Sequence, residues 1–451
     1  MSVGPGTAHV VGAGLAGLAA AVELAAAGRR VRLYEAGLHA GGRCRSYFDT
    51  ELGCRIDNGN HLLLAGNTAA LRYLERSGAL DTLQGPPDAV FSFVDAATGQ
   101  RWVLRPNRGV FPWWISSAKR RVPETRVADY LAAVALWRAD PTATVAEILD
   151  RQRPLFRRLW EPLAVAALNT SVEGASARLF WRILADTLGR GGAACRPLVP
   201  NNGLSETFVD PALARLRAQG AEIRFGALLR ALRFAIDRVS ELVFDIGTIE
   251  LGQNDSLILA VPASVAARLV PALVVPDAYS PIVNAHFRCA GPSDSPLFVG
   301  VIGGAAEWVF RKREALSVTV SAAKGLVDRP AEELRRLLWS DAAMAFRLPR
   351  DPVPPARIVK ERRATFLASP EQLQRRPGPQ TSWKNLLLAG DYVDTGLPAT
   401  IEGAIRSGFT AARGVLARRD HIAAGEGERG GSFVARTGLP RARARCVCFH
   451  E

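Results

Sequence analysis

Two short runs near opposite ends of the chain carry the residue types and spacing that hold a nucleotide. The first is Val10-Val11-Gly12-Ala13-Gly14-Leu15-Ala16-Gly17, with Glu35-Ala36 further on. Its chemistry is anion recognition by backbone. Gly12 permits a tight turn, and Gly14 beside Ala13 lets the main chain approach a pyrophosphate. Gly17 after Ala16 lets a helix pack close to a strand while its free N–H groups face the anion. Glu35 sits where a carboxylate accepts hydrogen bonds from a ribose diol. The second run is Leu388-Ala389-Gly390-Asp391, followed by Thr400-Ile401-Glu402-Gly403. Asp391 suits a ribityl hydroxyl. A helix starting near Thr400 and Ile401 directs its positive end at the pyrimidine edge of a flavin, stabilising charge on the reduced ring. A nicotinamide domain is one contiguous unit and needs no Gly-Asp contact so late in the chain, so FAD is the cofactor expected.

A glycine fingerprint alone recurs by chance, and its value depends on the elements that position it. Residues 8 to 12 read as a short buried strand, 15 to 27 as an Ala/Leu-rich helix closed by Gly28, and 31 to 34 as a strand delivering Glu35. Residues 220 to 225, 256 to 262 and 386 to 389 read as further strands, and 400 to 413 as a helix. The fold class expected is α/β, with a Rossmann-type FAD-binding domain interleaved with an α+β substrate domain. Residues 1–85, 201–270 and 376–419 are assigned to the first, with Leu229 beside the adenine. Residues 86–200, mainly helical, and 271–375, with strand-like runs such as 316–320, are assigned to the second. The Gly- and Arg-rich end, 420–451, is expected to be disordered.

Glu35-Ala36-Gly37-Leu38-His39-Ala40-Gly41-Gly42-Arg43 resembles the flavin amine oxidase and phytoene desaturase superfamily, in which the Gly-Gly-Arg loop crosses the diphosphate. Gly41 and Gly42 permit close backbone approach, and Arg43 offers a forked cation to phosphate oxygens. Asp57-Asn58-Gly59-Asn60-His61 is similar to the segment that passes beside the flavin ring in that superfamily. The run from Ala389 to Gly408 narrows the resemblance. Together with 162–170, 203–212 and 363–366, it resembles the squalene-associated, FAD-dependent desaturase family. Tyr392 stands where that family more often has Trp. The resemblance implies a reductive dehydroxylation in squalene and hopanoid synthesis: hydride passes from N5 of reduced flavin to a carbocation-like centre of hydroxysqualene as the hydroxyl leaves. Enzymes of squalene synthesis are then expected partners.

Composition is compatible with this reading. A chain of 451 residues exceeds a single ordinary core, and 48% hydrophobic with 22% charged residues excludes a disordered chain. The 57 Lys and Arg against 43 Asp and Glu give +14, which favours nucleic acid or an anionic membrane face. Without zinc-ligand spacing, a helix-turn-helix or an RNA-recognition signature, neither nucleic acid nor a metal is expected. Residues 1 to 9 lack the basic start of a signal peptide, and the apolar stretches 10–28 and 256–275 are interrupted by Glu23 and by Arg268 with two prolines. The expected location is cytoplasmic. Cys44, Cys54, Cys195, Cys289, Cys446 and Cys448 show no pairing framework and are expected as free thiols. Val110-Phe111-Pro112-Trp113-Trp114-Ile115 beside Lys119-Arg120-Arg121, followed by Trp137, Trp160 and Trp181, has the ingredients of an interfacial anchor on a membrane surface. The commoner role for such rings is to fill a core.

Loss of a hydroxyl from a delocalised centre needs an acid for the leaving oxygen. Glu402 and Asp394 are candidates, because an apolar pocket keeps a carboxyl protonated, and His61 is a third. Glu402 has a competing role as a cap at a helix start. On the residues alone two other readings stay open. One is an oxidative carotenoid or phytoene-type desaturase, or an amine oxidase, on the same FAD fold. The other is a non-enzymatic lipid-binding flavoprotein.

Overall fold

Strand Ala8–Val11 is buried at every position, as a strand covered on both faces must be. In the computed structural model, which describes residues 6–427, it is the centre of a five-stranded sheet. The order is Glu222–Arg224, Val31–Tyr34, Ala8–Val11, Ser256–Leu259, Leu386–Leu388, and every pairing is parallel. Chain order reverses on either side of the first strand, so the crevice at its carboxyl end is a topological switch point, where open α/β sheets bind ligands. The opening helix, Leu15–Ala26, starts at that point. The last strand pairs with Ser256–Leu259 and so delivers Gly390-Asp391 to the same edge. The closing helix, Ile401–Gly427, follows it. A Cβ added at Gly408 would lie 2.1 Å from the Ala16 carbonyl oxygen, so the closing helix meets the opening one backbone against backbone.

A second sheet has seven strands, ordered Ala356–Phe366, Tyr279–Phe287, Leu316–Val320, Trp308–Arg311, Phe298–Ile302, Phe91–Asp95, Arg101–Leu104. Its pairings are antiparallel except for Phe298–Ile302 with Phe91–Asp95. Side chains alternate between faces. One face, with Val283, Ala285, Phe287, Leu316 and Val318, packs on helix Ala331–Phe346 through Leu334, Leu338 and Trp339. The other carries Asn284, His286, Ser317 and Thr319 in register, then Trp308, Phe310, Phe298 and Phe93.

Residues 86–200 are less purely helical than expected. They supply the hairpin Phe91–Leu104 to the second sheet, where Phe91 and Phe93 alternate with Ser92 and Val94 in the two-residue period of a strand. One compact unit extends to Val415, and a second begins at Leu416 within the closing helix. That helix continues to Gly427, so 420–427 is helical where disorder was expected; the rest of the expected tail, 428–451 with Cys446 and Cys448, lies outside the described residues. Cys44, Cys54, Cys195 and Cys289 are free thiols. No helix among the described residues is long and apolar enough to cross a membrane.

Gly408→Val should lower the stability of the protein by about 2 kcal/mol or more, since neither helix backbone can retreat from the new side chain. Urea unfolding followed by circular dichroism checks this.

Candidate active site

Gly12 has φ +103° and its Cβ would stand 2.4 Å from the Ala260 carbonyl oxygen, so no other residue fits the first turn. The opening helix has no side-chain cap at Gly14 and no acid in its first turn, which leaves its N–H groups open to an anion. Gly41 N–H donates to the Ala13 carbonyl at 2.8 Å, and Gly14 and Gly41 form a parallel bridge. Above this paired backbone lies open space: nothing is within 4 Å of a Cβ on Gly14, and only the Gly14 Cα, at 3.6 Å, approaches one on Gly42. A bare cradle of main chain at a helix start fits a diphosphate.

Glu35 does more than wait for a ribose. Its Oε2 accepts from Ala13 N–H at 2.8 Å and its Oε1 from Gly37 N–H at 2.9 Å, so the acid also holds the glycine turn in place. Ala36 is exposed beside it. Gly226 and Ala227 hydrogen-bond to the carbonyls of Gly37 and Glu35, which brings segment 226–229 alongside. Leu229 itself points into the core with Val11 and Tyr34, a placement set by strand alternation.

Arg43 differs from expectation. Its Nη2 pairs with Asp391 Oδ1 at 2.8 Å and its Nη1 donates to the Ala364 carbonyl, so both terminal nitrogens engage protein oxygens rather than offering a free fork to phosphate. The Asp391 carboxylate raises the Arg43 pKa further and keeps the guanidinium charged. Gly390 N–H donates to Ser407 Oγ at 2.8 Å, and Thr400 Oγ1 accepts from Gly403 N–H at 3.1 Å, capping the closing helix beside the buried Ile401. Arg376, which the sequence reading missed, donates to the carbonyls of Asp391, Tyr392, Val393 and Leu397 and lies over the Phe366 ring. A buried guanidinium thereby folds the whole 391–397 loop. Nothing local to Gln374-Arg375-Arg376 marks it, because the carbonyls it binds all come from a later segment.

Of the three expected acids, none is placed as one. Glu402 accepts from Ala69 and Ala70 N–H at 3.1 and 2.8 Å and from Arg406 Nη2 at 3.0 Å, capping helix Thr68–Ser77. Both of its oxygens are thereby engaged by donors of the protein. The Asp394 side chain is 61% exposed and accepts from Gly396 N–H at 3.0 Å, so it lies outside any apolar pocket. His61 is half-buried near the ion pair of Asp57 and Lys312. Burial pushes its pKa down to about 4 against the opposing pull of Asp57, so the ring is neutral at pH 7. Asp57 accepts from Ser46 Oγ at 2.6 Å, Leu204 N–H at 2.9 Å and Lys312 Nζ at 3.3 Å.

Segment 58–62 lies against the polar-aromatic face of the second sheet. Asn60 Nδ2 donates to Thr319 Oγ1 at 3.0 Å, which in turn donates to Asn284 Oδ1 at 2.8 Å, and a Cβ on Gly59 would stand 3.3 Å from Asn284 Nδ2. Leu62 packs on a wall of rings: Phe93 and Phe298 lie 5.6 and 5.8 Å from Trp308 between centroids, and Phe310 lies 6.0 Å from Phe298. Next to Trp308, Glu307 accepts from Ser321 N–H at 2.8 Å, and burial pushes its carboxyl up to about 7. This acid also went unread in the sequence, where it is one glutamate among many.

The chain matches the family of flavin-containing amine oxidoreductases over residues 15–416. It is 48% identical to the hydroxysqualene dehydroxylase of Rhodopseudomonas palustris over 414 residues, covering 91% of this chain and 98% of that one. The hydroxysqualene dehydroxylase of Zymomonas mobilis is 44% identical, with 90% and 97% covered. The chain belongs to the hydroxysqualene dehydroxylase family. It is an FAD-dependent oxidoreductase of the flavin amine oxidoreductase class. Its fold is also that of putrescine oxidase, at TM-score 0.64 and 16% identity over 92% of this chain and 99% of that one. Cyclohexylamine oxidase from Brevibacterium oxydans gives TM-score 0.66 at 15% identity over 92% and 100%. The bare glycine cradle, Glu35 and the Asp391 edge fit the cofactor of this class.

His286 is 1% exposed, donates to or accepts from Ser317 Oγ at 2.8 Å, and has its pKa lowered by burial to about 4. The unfolded chain therefore takes up this proton first. Stability should fall as pH drops from about 6.5 towards 4, by about 2 kcal/mol between pH 7 and pH 5 for this residue. Urea titrations at both pH values check it, and His286→Gln should lose correspondingly less.

Proposed function

We propose that this chain reductively removes the hydroxyl of hydroxysqualene to form squalene, in squalene and hopanoid synthesis and alongside other enzymes of that route. The observation that carries the reading is the aromatic wall of Phe93, Phe298, Phe310 and Trp308 beside segment 58–62, with the acid Glu307, its carboxyl raised to about 7, directly before Trp308 in the chain. Reduced FAD supplies a hydride when bound. The chain's own residues do the rest.

In this reading residues 1–85, 201–270 and 376–419 carry the cofactor, and 86–200 and 271–375 carry the substrate. The backbone of Gly12, Ala13, Gly14, Ala16, Gly17 and Gly42 holds the diphosphate, Glu35 and Ala36 the ribose, and segment 226–229 the adenine side. Gly390, Asp391, Thr400 and Ile401 hold the ribityl chain and pyrimidine edge, and Gly59 keeps the ring's flank free of side chain. The ring faces of the wall exclude water and attract a developing cation on the hydrocarbon. Glu307 protonates the leaving oxygen, so that the C–O bond breaks to release water.

Incubation of the purified protein with FAD, dithionite and hydroxysqualene, followed by extraction and gas chromatography, should yield squalene. A more unsaturated product would indicate a desaturase, and no product would remove the proposal. Because the donor must be protonated, turnover should decline as pH rises through about 7. Glu307→Gln should retain FAD, lose about ten-fold or more in kcat, and lack that alkaline decline.

A further inference from the structure

Solvent exposure of large apolar side chains is concentrated between residues 110 and 137. Val110, Phe111 and Trp113 are 68%, 79% and 48% exposed, and Leu131, Val134 and Trp137 are 56%, 48% and 59% exposed. The second set is not scattered. Residues Ala132–Arg138 form a 3₁₀ helix continuing from helix Val127–Leu131, and three residues per turn place Leu131, Val134 and Trp137 in one row. The parallel row Tyr130, Ala133 and Leu136 is buried. The helix thus has an apolar inner row, which the fold explains, and an apolar outer row, which it does not.

The two exposed sets are tied together underneath. Trp114 is 4% exposed and packs edge-on against Tyr130 at 5.2 Å, so the loop bearing Trp113 sits against the helix bearing Leu131. Burial of Trp114 also removes it from the anchor expected from sequence. Trp160 is buried as well, and Trp181 is partly buried against the same core.

The surroundings are cationic. Between residues 105 and 138 there are seven Lys or Arg and two Asp or Glu. Arg120 lies 4.7 Å over the Trp113 ring and Arg138 lies 5.5 Å over Trp137, so each exposed indole carries a cation at its face. Among the described residues no carboxylate pairs with Lys119, Arg120 or Arg138. Unpaired cations around protruding indoles match a headgroup layer carrying negative charge over an acyl interior.

We propose that residues 108–138 form a docking surface for an anionic lipid bilayer, with Phe111, Trp113, Val134 and Trp137 entering the acyl boundary and Lys119, Arg120 and Arg138 meeting the headgroups. The core beneath this surface continues from Trp114 and Tyr130 to Trp102 and Phe93, with Trp308 packed against it. The docked face is therefore backed by the same apolar mass that forms the aromatic wall. The assignment rests on exposure and charge and is independent of which product the enzyme forms.

Flotation of the full-length flavoprotein with vesicles of phosphatidylcholine, with and without phosphatidylglycerol, tests it. The protein should float with the mixed vesicles and about ten-fold more weakly with pure phosphatidylcholine. Phe111→Ser/Trp113→Ser and Val134→Ser/Trp137→Ser should each weaken flotation by about ten-fold while retaining flavin absorbance. Lys119→Glu/Arg120→Glu should abolish the preference for phosphatidylglycerol. Failure of the wild type to float with either vesicle, or unchanged flotation of both serine variants, overturns the proposal. So does a wild-type dimer in sedimentation velocity that the serine variants convert to monomer with flotation unaltered, since the surface would then bind a second copy of the chain.

Discussion

The ion pair between Arg43 and Asp391 joins early and late parts of the chain beside the glycine turn. Neither residue could find the other locally. Arg43 follows the glycine pair that lies along the first turn, and Asp391 reaches the same edge only because strand Leu386–Leu388 adds next to Ser256–Leu259. The pair satisfies two charges that would otherwise face a partly dry crevice, and the second Arg43 nitrogen extends the tie to Ala364, on the edge strand of the second sheet. One guanidinium thus links the glycine loop, the carboxy-side loop and the seven-stranded sheet. Arg376 complements it by folding the 391–397 loop around four carbonyls.

The second sheet separates packing from chemistry by face. Its aliphatic face is sealed by helix Ala331–Phe346, while the opposite face presents polar groups towards segment 58–62 and rings beyond it. Burial there acts with opposite sign on different groups. It pushes the pKa of His61 and His286 down and that of Glu307 up, because in each case the charged form is the one disfavoured by a dry surrounding. Asp57 and Lys312 pair with each other in the same region.

The outer surface of the 108–138 segment extends the same economy of form. Its inner row of side chains stabilises the helical part of the fold, while its outer row is left without protein cover.

Much of the cofactor side was legible in the sequence, because it rests on backbone geometry that few residues permit. Gly12, Gly14, Gly17 and Glu35 announce a strand, turn and helix by their own stereochemistry, and the parallel strands announce themselves as short apolar runs. The acids were not legible. Glu402, Asp394 and Glu307 are the same kind of group in a sequence. Whether such a carboxyl caps a helix, faces water or keeps its proton depends on neighbours brought from other segments, such as Ala69 and Ala70 for Glu402 and Ser321 for Glu307. The same holds for the adjacent pair Trp113 and Trp114, identical in type and opposite in exposure. Local stereochemistry travels with the residue, so the sequence alone determined the nucleotide fold; solvation and pairing belong to the assembled surroundings, so only the tertiary structure decided which side chains hold charge, which hold a proton and which face the solvent.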